Sequence, residues 1–308
     1  FQLGQAADHR QQDAQVVQAL AGLEHGARLD QEDLRVVEGD ADAAPADAFQ
    51  VIPVDQPAEN SETTQLAHAI AGAIRDIFQN HLLQLVALTA MEPPIDFTAD
   101  AVRNEKVKVL RSLRPITPDE VERVTVRGQY VGGVSEGKTV KGYDEERGEP
   151  SDTETFVAIR ADIDNWRWAG VPFFMRTGKR LPEKRTEIVI QFKPVPHSIF
   201  DRDDRGEVQA NRMIIELQPE EDISLTVMNK RPGLDQRMQL QPIQMSLSWG
   251  VDGKSVHPPR RRIAYERLLL DAMAGDSTLF VRRDEVEAQW EWIDAIRAGW
   301  QDDGMTPR

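Results

Sequence analysis

The clearest hydrophobic pattern lies in residues 71–91, AGAIRDIFQNHLLQLVALTAM, which carry apolar side chains at helical spacing. The apolar stripe consists of Ile74, Ile77, Phe78, Leu82, Leu85, Val86 and Leu88. This spacing predicts an α-helix with one broad buried face, and Pro93 and Pro94 end it. His81 lies on the same stripe, one turn after Phe78, so the predicted helix carries an imidazole on its apolar face.

Downstream of this helix, the pattern becomes that of a domain with helices and many strands. Residues 97–113 predict a second helix, with acidic side chains early and basic side chains late, as a helix dipole favours. Alternating or β-branched segments then predict strands at 121–131, 155–164, 171–176, 186–192, 211–218 and 222–230. Two more helices are predicted over 264–275 and 283–300. Successive strands without alternating helices indicate an α+β fold: a large, mainly antiparallel sheet with helices at both ends.

Residues 1–70 differ in composition from the rest of the chain. They are rich in Ala, Gln, Asp and Glu and include the acidic stretch EGDADAAPADAF, which cannot bury much apolar surface. We expect a mostly disordered or loosely helical leader over 1–70, containing a strand-like VIPV at 51–54, and a folded domain over 71–308. The glycine-rich strand–turn–helix unit that binds dinucleotides is not recognisable in the sequence, so no Rossmann domain is visible.

Charge and composition exclude several classes of function. The 308 residues include 37 basic and 52 acidic side chains, a net charge of -15, which argues against nonspecific binding to nucleic acid. The sequence has no cysteine, which excludes disulfides and cysteine-based metal sites and suits a reducing cytoplasm. No run reaches the ~18 apolar residues of a membrane helix, and no H-E-x-x-H or similar metal motif occurs. We therefore expect no nucleic-acid, membrane or metal partner.

The segment 132–139, GGVSEGKT, fits the phosphate-loop pattern G-x-x-x-x-G-K-[ST] letter for letter. A phosphate loop requires a helix directly after it, because the helical N–H groups and dipole face the phosphate. The continuation here, VKGYDEERGEP, contains two further glycines and a proline, so we expect that no helix starts there. We therefore expect a hairpin connection between strands.

A basic loop at 176–187, RTGKRLPEKRTE, is a better candidate for anion binding. Its cations are Arg176, Lys179, Arg180, Lys184 and Arg185. In an acidic protein this concentration of charge suits a phosphate or a sugar phosphate, although a solvated turn explains the same charges. Two interpretations of His81 are also open: it is a core histidine with one satisfied hydrogen bond, or a base held out of bulk water.

Long segments from residue 74 onward, taken in order, match the pattern of one family. They are IRDIFQNHLLQLVALTAMEPP, RNEKVKVL, GQYVGG with VKGYDEE, NWRWAGVPFFMRTGKRLPEKRTEI, KRPG, and YERLLLDAMAGD with FVRRDEVE. Together they resemble the C-terminal domain of glucose-6-phosphate dehydrogenase over about residues 71–308. The resemblance implies an NADP-dependent enzyme of the pentose phosphate pathway that oxidises glucose 6-phosphate to 6-phosphogluconolactone. It also implies a homo-oligomer that associates through the large sheet.

The resemblance further implies roles for four residues. The family segment R-D-x-x-Q-N-H carries the catalytic histidine, which falls on His81. Its implied role is that of a general base, which removes the proton from the C1 hydroxyl of the sugar while hydride leaves C1 for the nicotinamide. Asp76 falls on the position of a substrate-hydroxyl ligand, and Lys179 and Lys184 fall on positions that contact the sugar phosphate.

Part of the family pattern is missing from this sequence. The family's N-terminal half carries a glycine-rich turn, an E-K-P-F-G segment and an I-D-H-Y-L-G-K segment, and none of them appears in residues 1–70. The last segment supplies the carboxylate that orients the catalytic histidine, so neither that carboxylate nor a cofactor-binding residue is assigned here. Two interpretations stay open: an NADP-dependent dehydrogenase, or a non-catalytic, truncated or rearranged chain that retains the sheet and its association surface.

Overall fold

The computed structural model describes residues 49–52, 72–135, 138–181, 185–195, 208–219, 221–233, 240–246, 250–251, 254–255 and 264–307. In chain order, its elements are β1 (Phe49–Ile52), a π-helix (Ile74–Leu82) continued by α1 (Leu83–Ala90), α2 (Ala99–Arg111), α3 (Pro118–Val124), β2 (Thr125–Gly128), β3 (Gly133–Ser135), β4 (Lys138–Val140), α4 (Tyr143–Arg147), β5 (Phe156–Asp162), β6 (Pro172–Gly178), β7 (Thr186–Gln191), β8 (Arg212–Gln218), β9 (Asp222–Lys230), β10 (Leu240–Ser246), β11 (Gly250–Val251), β12 (Lys254–Ser255), α5 (Ala264–Ala274) and α6 (Arg283–Asp302).

Eight strands form one sheet in the order β10-β9-β8-β7-β1-β6-β5-β2. Neighbouring strands pair antiparallel, except that β1 and β6 pair in parallel. Helices precede and follow the run of large strands. The predicted α+β class, with a large, mainly antiparallel sheet and helices at both ends, is confirmed.

Strand β1 lies inside this sheet, between β6 and β7. Phe49 is paired with Phe173 on one side and with Ile190 on the other. This segment belongs to the region that the sequence assigns to the leader. The strand-like VIPV overlaps β1 at two positions, and its residues 53–54 lie outside the described part of the chain.

The hydrophobic core joins the first helix to α6 and to strands β5 and β6. Phe78, Ile159, Phe173 and Ile293 come from these four elements and are fully buried. Phe78 also stacks on Trp292 with ring centroids 6.5 Å apart. Burial of each such side chain contributes about 1.5–3 kcal/mol, so this core fixes the π-helix relative to β6.

The strand predicted over 121–131 is wrong in its first part, because α3 extends to Val124 and only then does β2 begin. Pro118 is the first residue of the helix, and two acidic residues follow in the first turn, where the helix dipole favours them. Val121 packs against Gly299 of α6, where an added Cβ would lie 3.3 Å from the valine side chain. This contact and the helix-starting signal outweigh the β-propensity of the valines.

The hairpin expected at GGVSEGKT is confirmed. Strands β3 and β4 pair antiparallel, from Gly133 opposite Val140 to Ser135 opposite Lys138. The expectation that no helix starts in VKGYDEERGEP is wrong, because α4 begins there at Tyr143. The two glycines lie at its ends, Gly142 as the N-cap and Gly148 as the C-cap, and so do not interrupt it. Two residues separate the helix from β4, so it does not begin directly after the glycine-rich loop. The segment therefore lacks the strand–loop–helix arrangement of a phosphate loop.

Candidate functional site

The helix that carries His81 is a π-helix over Ile74–Leu82, where the apolar spacing predicts an α-helix. At its end, the N–H of Leu83 donates to the carbonyl of Phe78, five residues earlier. In an α-helix, each residue turns the chain by ~100°, so Asp76 and His81 would leave it ~140° apart. Because π-helical hydrogen bonds join residues i and i+5, the wider winding brings these two side chains to the same face.

Asp76 acts electrostatically on both His81 and Lys179. Burial lowers the pKa of the His81 imidazole below its ordinary value, and the negative charge of Asp76 opposes this shift. Burial also lowers the pKa of the Lys179 ammonium, and Asp76 again opposes the shift. One carboxylate therefore links the helix and the basic loop, and the three half-buried side chains form one cluster, which we call the Asp76 cluster.

The backbone places Lys179 directly after the last residue of β6. Its N–H donates to the carbonyl of Thr155 at 2.9 Å, which extends the pairing with β5 by one step. At the preceding residue, Gly178, an added Cβ would lie 2.7 Å from the ring of Phe156. Glycine thus lets the end of β6 approach β5 closely and sets the point at which the lysine leaves the sheet. Lys184 lies outside the described residues, so its contact with a phosphate stays a prediction.

Two other cations of the basic loop are paired with carboxylates. Arg180 pairs with Glu146. Arg185 pairs with Glu187 at 3.1 Å and with Glu216 at 3.4 Å. The loop therefore presents less uncompensated positive charge than its sequence indicates. Lys179 differs from these arginines because the carboxylate that acts on it is Asp76 of the π-helix.

Glu154 connects the start of the π-helix to the sheet. Its backbone carbonyl accepts the N–H of Ala73 at 2.9 Å, and its side chain accepts the N–H of Ile74 at 3.3 Å. The same carboxylate pairs with Arg127 at 3.1 Å, and that guanidinium lies 4.7 Å from the ring centroid of Trp300. Because the first N–H groups of a helix have no partner within it, a buried carboxylate at this end stabilises the helix start.

Gly72 allows this close approach of helix and sheet. Its φ is +74°, and an added Cβ would lie 2.5 Å from Oε1 of Glu154. Glycine meets both conditions, since it adopts positive φ freely and has no Cβ. Thr155, the residue after Glu154, holds the backbone of Lys179, so two consecutive residues anchor both the His81 helix and the Lys179 loop. Glu154 was not predicted, because a lone acidic residue before a strand carries no distinctive signal.

The Asp76 cluster combines groups suited to proton transfer and anion binding. An imidazole whose pKa is lowered by burial is unprotonated near neutral pH and accepts a proton. A carboxylate accepts hydrogen bonds from hydroxyls, and an ammonium binds a phosphate oxygen. Within the described part of the chain, no group of three or more His, Asp or Glu side chains is arranged to hold a metal ion. The helices seen there are also too short or too polar to span a bilayer.

Comparison with known proteins agrees with the resemblance seen in the sequence. Residues 68–307 match the family model described as "Glucose-6-phosphate dehydrogenase, C-terminal domain". The chain is 59% identical over 239 residues to the glucose-6-phosphate 1-dehydrogenase of Zymomonas mobilis, covering 77% of this chain and 48% of that protein. It is 54% identical over 237 residues to the enzyme of Rhizobium meliloti, covering 76% and 47%. The chain spans about half the length of these curated relatives.

Solved structures give the same result. The fold matches glucose-6-phosphate 1-dehydrogenase from Mycobacterium avium with a TM-score of 0.65 and 32% identity, over 85% of this chain and 51% of that one. It also matches a glucose-6-phosphate dehydrogenase in complex with its substrate glucose-6-phosphate, with a TM-score of 0.70 and 31% identity. That match covers 95% of this chain and 56% of the other.

Proposed function

Because the chain belongs to the family of glucose-6-phosphate dehydrogenase C-terminal domains, we propose that it binds glucose 6-phosphate and takes part in its oxidation to 6-phosphogluconolactone, as an NADP-dependent enzyme of the pentose phosphate pathway. The observation that carries this proposal is the Asp76 cluster, in which one carboxylate acts on both His81 and Lys179. The substrate needs a base at one end and a cation at the other, and the cluster offers both.

In the proposed reaction, His81 accepts the proton of the C1 hydroxyl. Burial keeps the imidazole neutral before the transfer, and the negative charge of Asp76 favours the imidazolium that the transfer produces. Asp76 also accepts a hydrogen bond from a sugar hydroxyl. Lys179 binds the phosphate, and Lys184 is assigned the same role from the resemblance to the family. The substrate therefore lies with its C1 end at the π-helix and its phosphate at the end of β6.

NADP is the proposed hydride acceptor on the basis of the family. A glycine-rich strand–turn–helix unit of the dinucleotide-binding kind is not recognisable in the sequence, and GGVSEGKT, which fits the phosphate-loop pattern instead, contributes to strands β3 and β4. No residue of this chain is therefore assigned to the cofactor, and no step is derived through it.

The proposed oligomer forms through the part of the sheet made by β8, β9 and β10. Most side chains along these strands keep partial exposure on both faces of the sheet, and Met245 is 46% exposed. A second copy of the chain is the proposed partner that covers them. If so, Met245→Glu lowers the molar mass measured by sedimentation, and a wild-type chain that sediments as a monomer contradicts the proposal. The proposed location is the cytoplasm, as the lack of cysteine favours.

The enzymatic proposal is tested by mixing the purified chain with glucose 6-phosphate and NADP and following the absorbance of reduced nicotinamide. Turnover that disappears in His81→Asn supports it, and Glu92→Gln, an exposed change elsewhere, serves as the control. Calorimetric titration then compares the affinities for glucose 6-phosphate and for glucose, and their difference measures the contribution of the phosphate. Lys179→Ala should reduce this difference, because it removes the proposed phosphate contact. Substrate binding without turnover would favour the second interpretation, a non-catalytic chain, and the absence of both would refute the assignment of the cluster.

A further inference from the structure

Arg180, the residue directly after Lys179, has an uncommon backbone conformation. Among the described residues, it is the one non-glycine residue with a positive φ, at 57°. Side chains disfavour this region, because Cβ comes too close to the following carbonyl oxygen. A single residue persists there when its surroundings hold it in place. The side-chain contacts of Arg180 therefore bear on the shape of the loop that carries Lys179.

The side chain of Arg180 lies between an acidic and an aromatic residue. Its guanidinium pairs with one carboxylate oxygen of Glu146 and lies 4.8 Å from the ring centroid of Tyr130. The hydroxyl of Tyr130 donates to the other oxygen of Glu146 at 2.6 Å. Burial, and then the hydrogen bond to Glu146, raise the pKa of Tyr130, which keeps this hydroxyl protonated and donating. We call these three side chains the Arg180 clamp.

The two residues that receive Arg180 are themselves fixed to each other. The N–H of Tyr143, the first residue of α4, donates to the carbonyl of Tyr130 at 3.0 Å, and the two tyrosine rings meet edge to face at 5.6 Å. At Gly142, an added Cβ would lie 2.8 Å from the backbone nitrogen of Gly132. The helix that carries Glu146 and the segment that carries Tyr130 thus form one closely packed support.

The same support is tied to the backbone of Lys179 through one residue. The N–H of Tyr130 donates to Oγ1 of Thr155 at 2.9 Å, while the carbonyl of Thr155 accepts the N–H of Lys179 at the same distance. The loop is therefore held at two consecutive residues: at Lys179 by a backbone hydrogen bond and at Arg180 by the clamp.

We propose that Glu146 and Tyr130 are positioning residues for Lys179: by holding Arg180 in its left-handed conformation, they direct the preceding ammonium toward Asp76 and the substrate phosphate. Lys179 and Arg180 have partners in different elements, the π-helix and α4, so the backbone that joins them is held from two directions. The inference rests on the proposed function, because it assumes that Lys179 binds the phosphate. The inference also gives a role to the segments GQYVGG and VKGYDEE, which supply Tyr130 and most of the helix α4 but contribute no residue to the Asp76 cluster.

The test uses two variants of the full chain and one matched control. Glu146→Gln removes the ion pair, and Arg180→Gly removes the whole anchor while keeping a residue that adopts positive φ without strain. The control is Glu92→Gln, because Glu92 is another exposed carboxylate that pairs with an arginine, Arg167, whose guanidinium lies over a tryptophan. That pair lies at the turn before β6, at the opposite end of the strand from Lys179. Thermal unfolding verifies that each variant folds.

The first measurement is hydrogen exchange of the backbone amide of Lys179, and the second is calorimetric titration with glucose 6-phosphate. Since Arg180 and Glu146 are more than a third exposed, we expect Glu146→Gln to weaken binding of glucose 6-phosphate about two- to fivefold. Arg180→Gly weakens it further, because it also removes the contact with the ring of Tyr130. Both variants should accelerate hydrogen exchange at the backbone amide of Lys179 and leave the binding of unphosphorylated glucose unchanged. The control Glu92→Gln should change neither the exchange rate at Lys179 nor the affinity for glucose 6-phosphate.

Three results would overturn the inference, and they are distinguishable. If the wild-type chain binds glucose 6-phosphate and Arg180→Gly binds it equally well, the positioning role is wrong while the proposed function stands. If the wild-type chain has no affinity for glucose 6-phosphate, both the proposed function and this inference fail. Unchanged exchange at Lys179 in both variants would likewise exclude the clamp as the support of the loop.

Discussion

Replacing Gly72 with alanine tests the junction between the π-helix and the sheet. The left-handed backbone at this position costs an alanine about 1–2 kcal/mol. The new Cβ would also lie 2.5 Å from Oε1 of Glu154, so the carboxylate must move away. Losing its buried hydrogen bond to the N–H of Ile74 adds about 1.5–3 kcal/mol, because the acceptor is charged. We therefore expect the free energy of unfolding to fall by about 2.5–5 kcal/mol.

Gly148 provides a matched control for this experiment. Its φ is +79°, and no atom lies within 4 Å of an added Cβ. Gly148→Ala should therefore cost about 1–2 kcal/mol, from the backbone conformation alone. Unfolding in urea, followed by circular dichroism, compares the two variants, provided that they share one m-value. The excess cost of Gly72→Ala measures the displacement of Glu154. Equal destabilisation by the two changes would refute the reasoning that this carboxylate packs against the helix start.

The remaining predictions concern charged groups. NMR titration of the His81 ring should give a pKa below 6.5, and Asp76→Asn should lower it further by removing the opposing charge; a rise would contradict the Asp76 cluster. Because the lowered pKa of His81 means that the native state binds fewer protons there than the unfolded chain, the free energy of unfolding should increase with pH between the pKa of His81 in the folded state and 6.5. Unfolding in urea at several pH values measures this trend. Glu285→Gln should lower the free energy of unfolding by about 3–5 kcal/mol, because it leaves Lys106, its partner at 2.6 Å, buried and charged. The double variant with Lys106→Met should recover much of this loss, as urea unfolding of the two variants can measure.

Local sequence patterns were sufficient to predict the strands in which apolar and polar residues alternate or β-branched residues predominate. The segment predicted at 222–230 coincides with β9, and the one at 186–192 differs from β7 by a single residue. Strand β10 was missed because its sequence, LQPIQMS, does not alternate regularly, has a single β-branched residue and contains a proline. Proline is tolerated on an edge strand, and β10 is the last strand of the sheet. Its position at the edge depends on the fold and not on the local sequence.

Non-local contacts explain why other features were not predicted. Strand β1 has four residues, follows a low-complexity segment, and pairs with Phe173 and Ile190 far along the chain. For the site, the resemblance to a family identified Asp76, His81 and Lys179 by position. The sequence did not indicate that one carboxylate acts on the other two groups, because that depends on π-helical winding and on packing against β6. Glu154 and Glu146 were missed for the same reason, since their partners lie in other elements.

The alignment of Asp76 with His81 depends on the winding of the first helix as well as on the identity of the two side chains. An acid and a base five positions apart face each other only while the intervening turns stay wide. A shift of this segment to the ordinary α-helical form would separate them by ~140° with every side chain intact. In that α-helical form, the negative charge of Asp76 would no longer act on the His81 imidazole as it does in the π-helix. Substitutions at residues 74–82 other than Asp76 and His81 that favour the tighter helix would therefore separate these two groups without changing either of them.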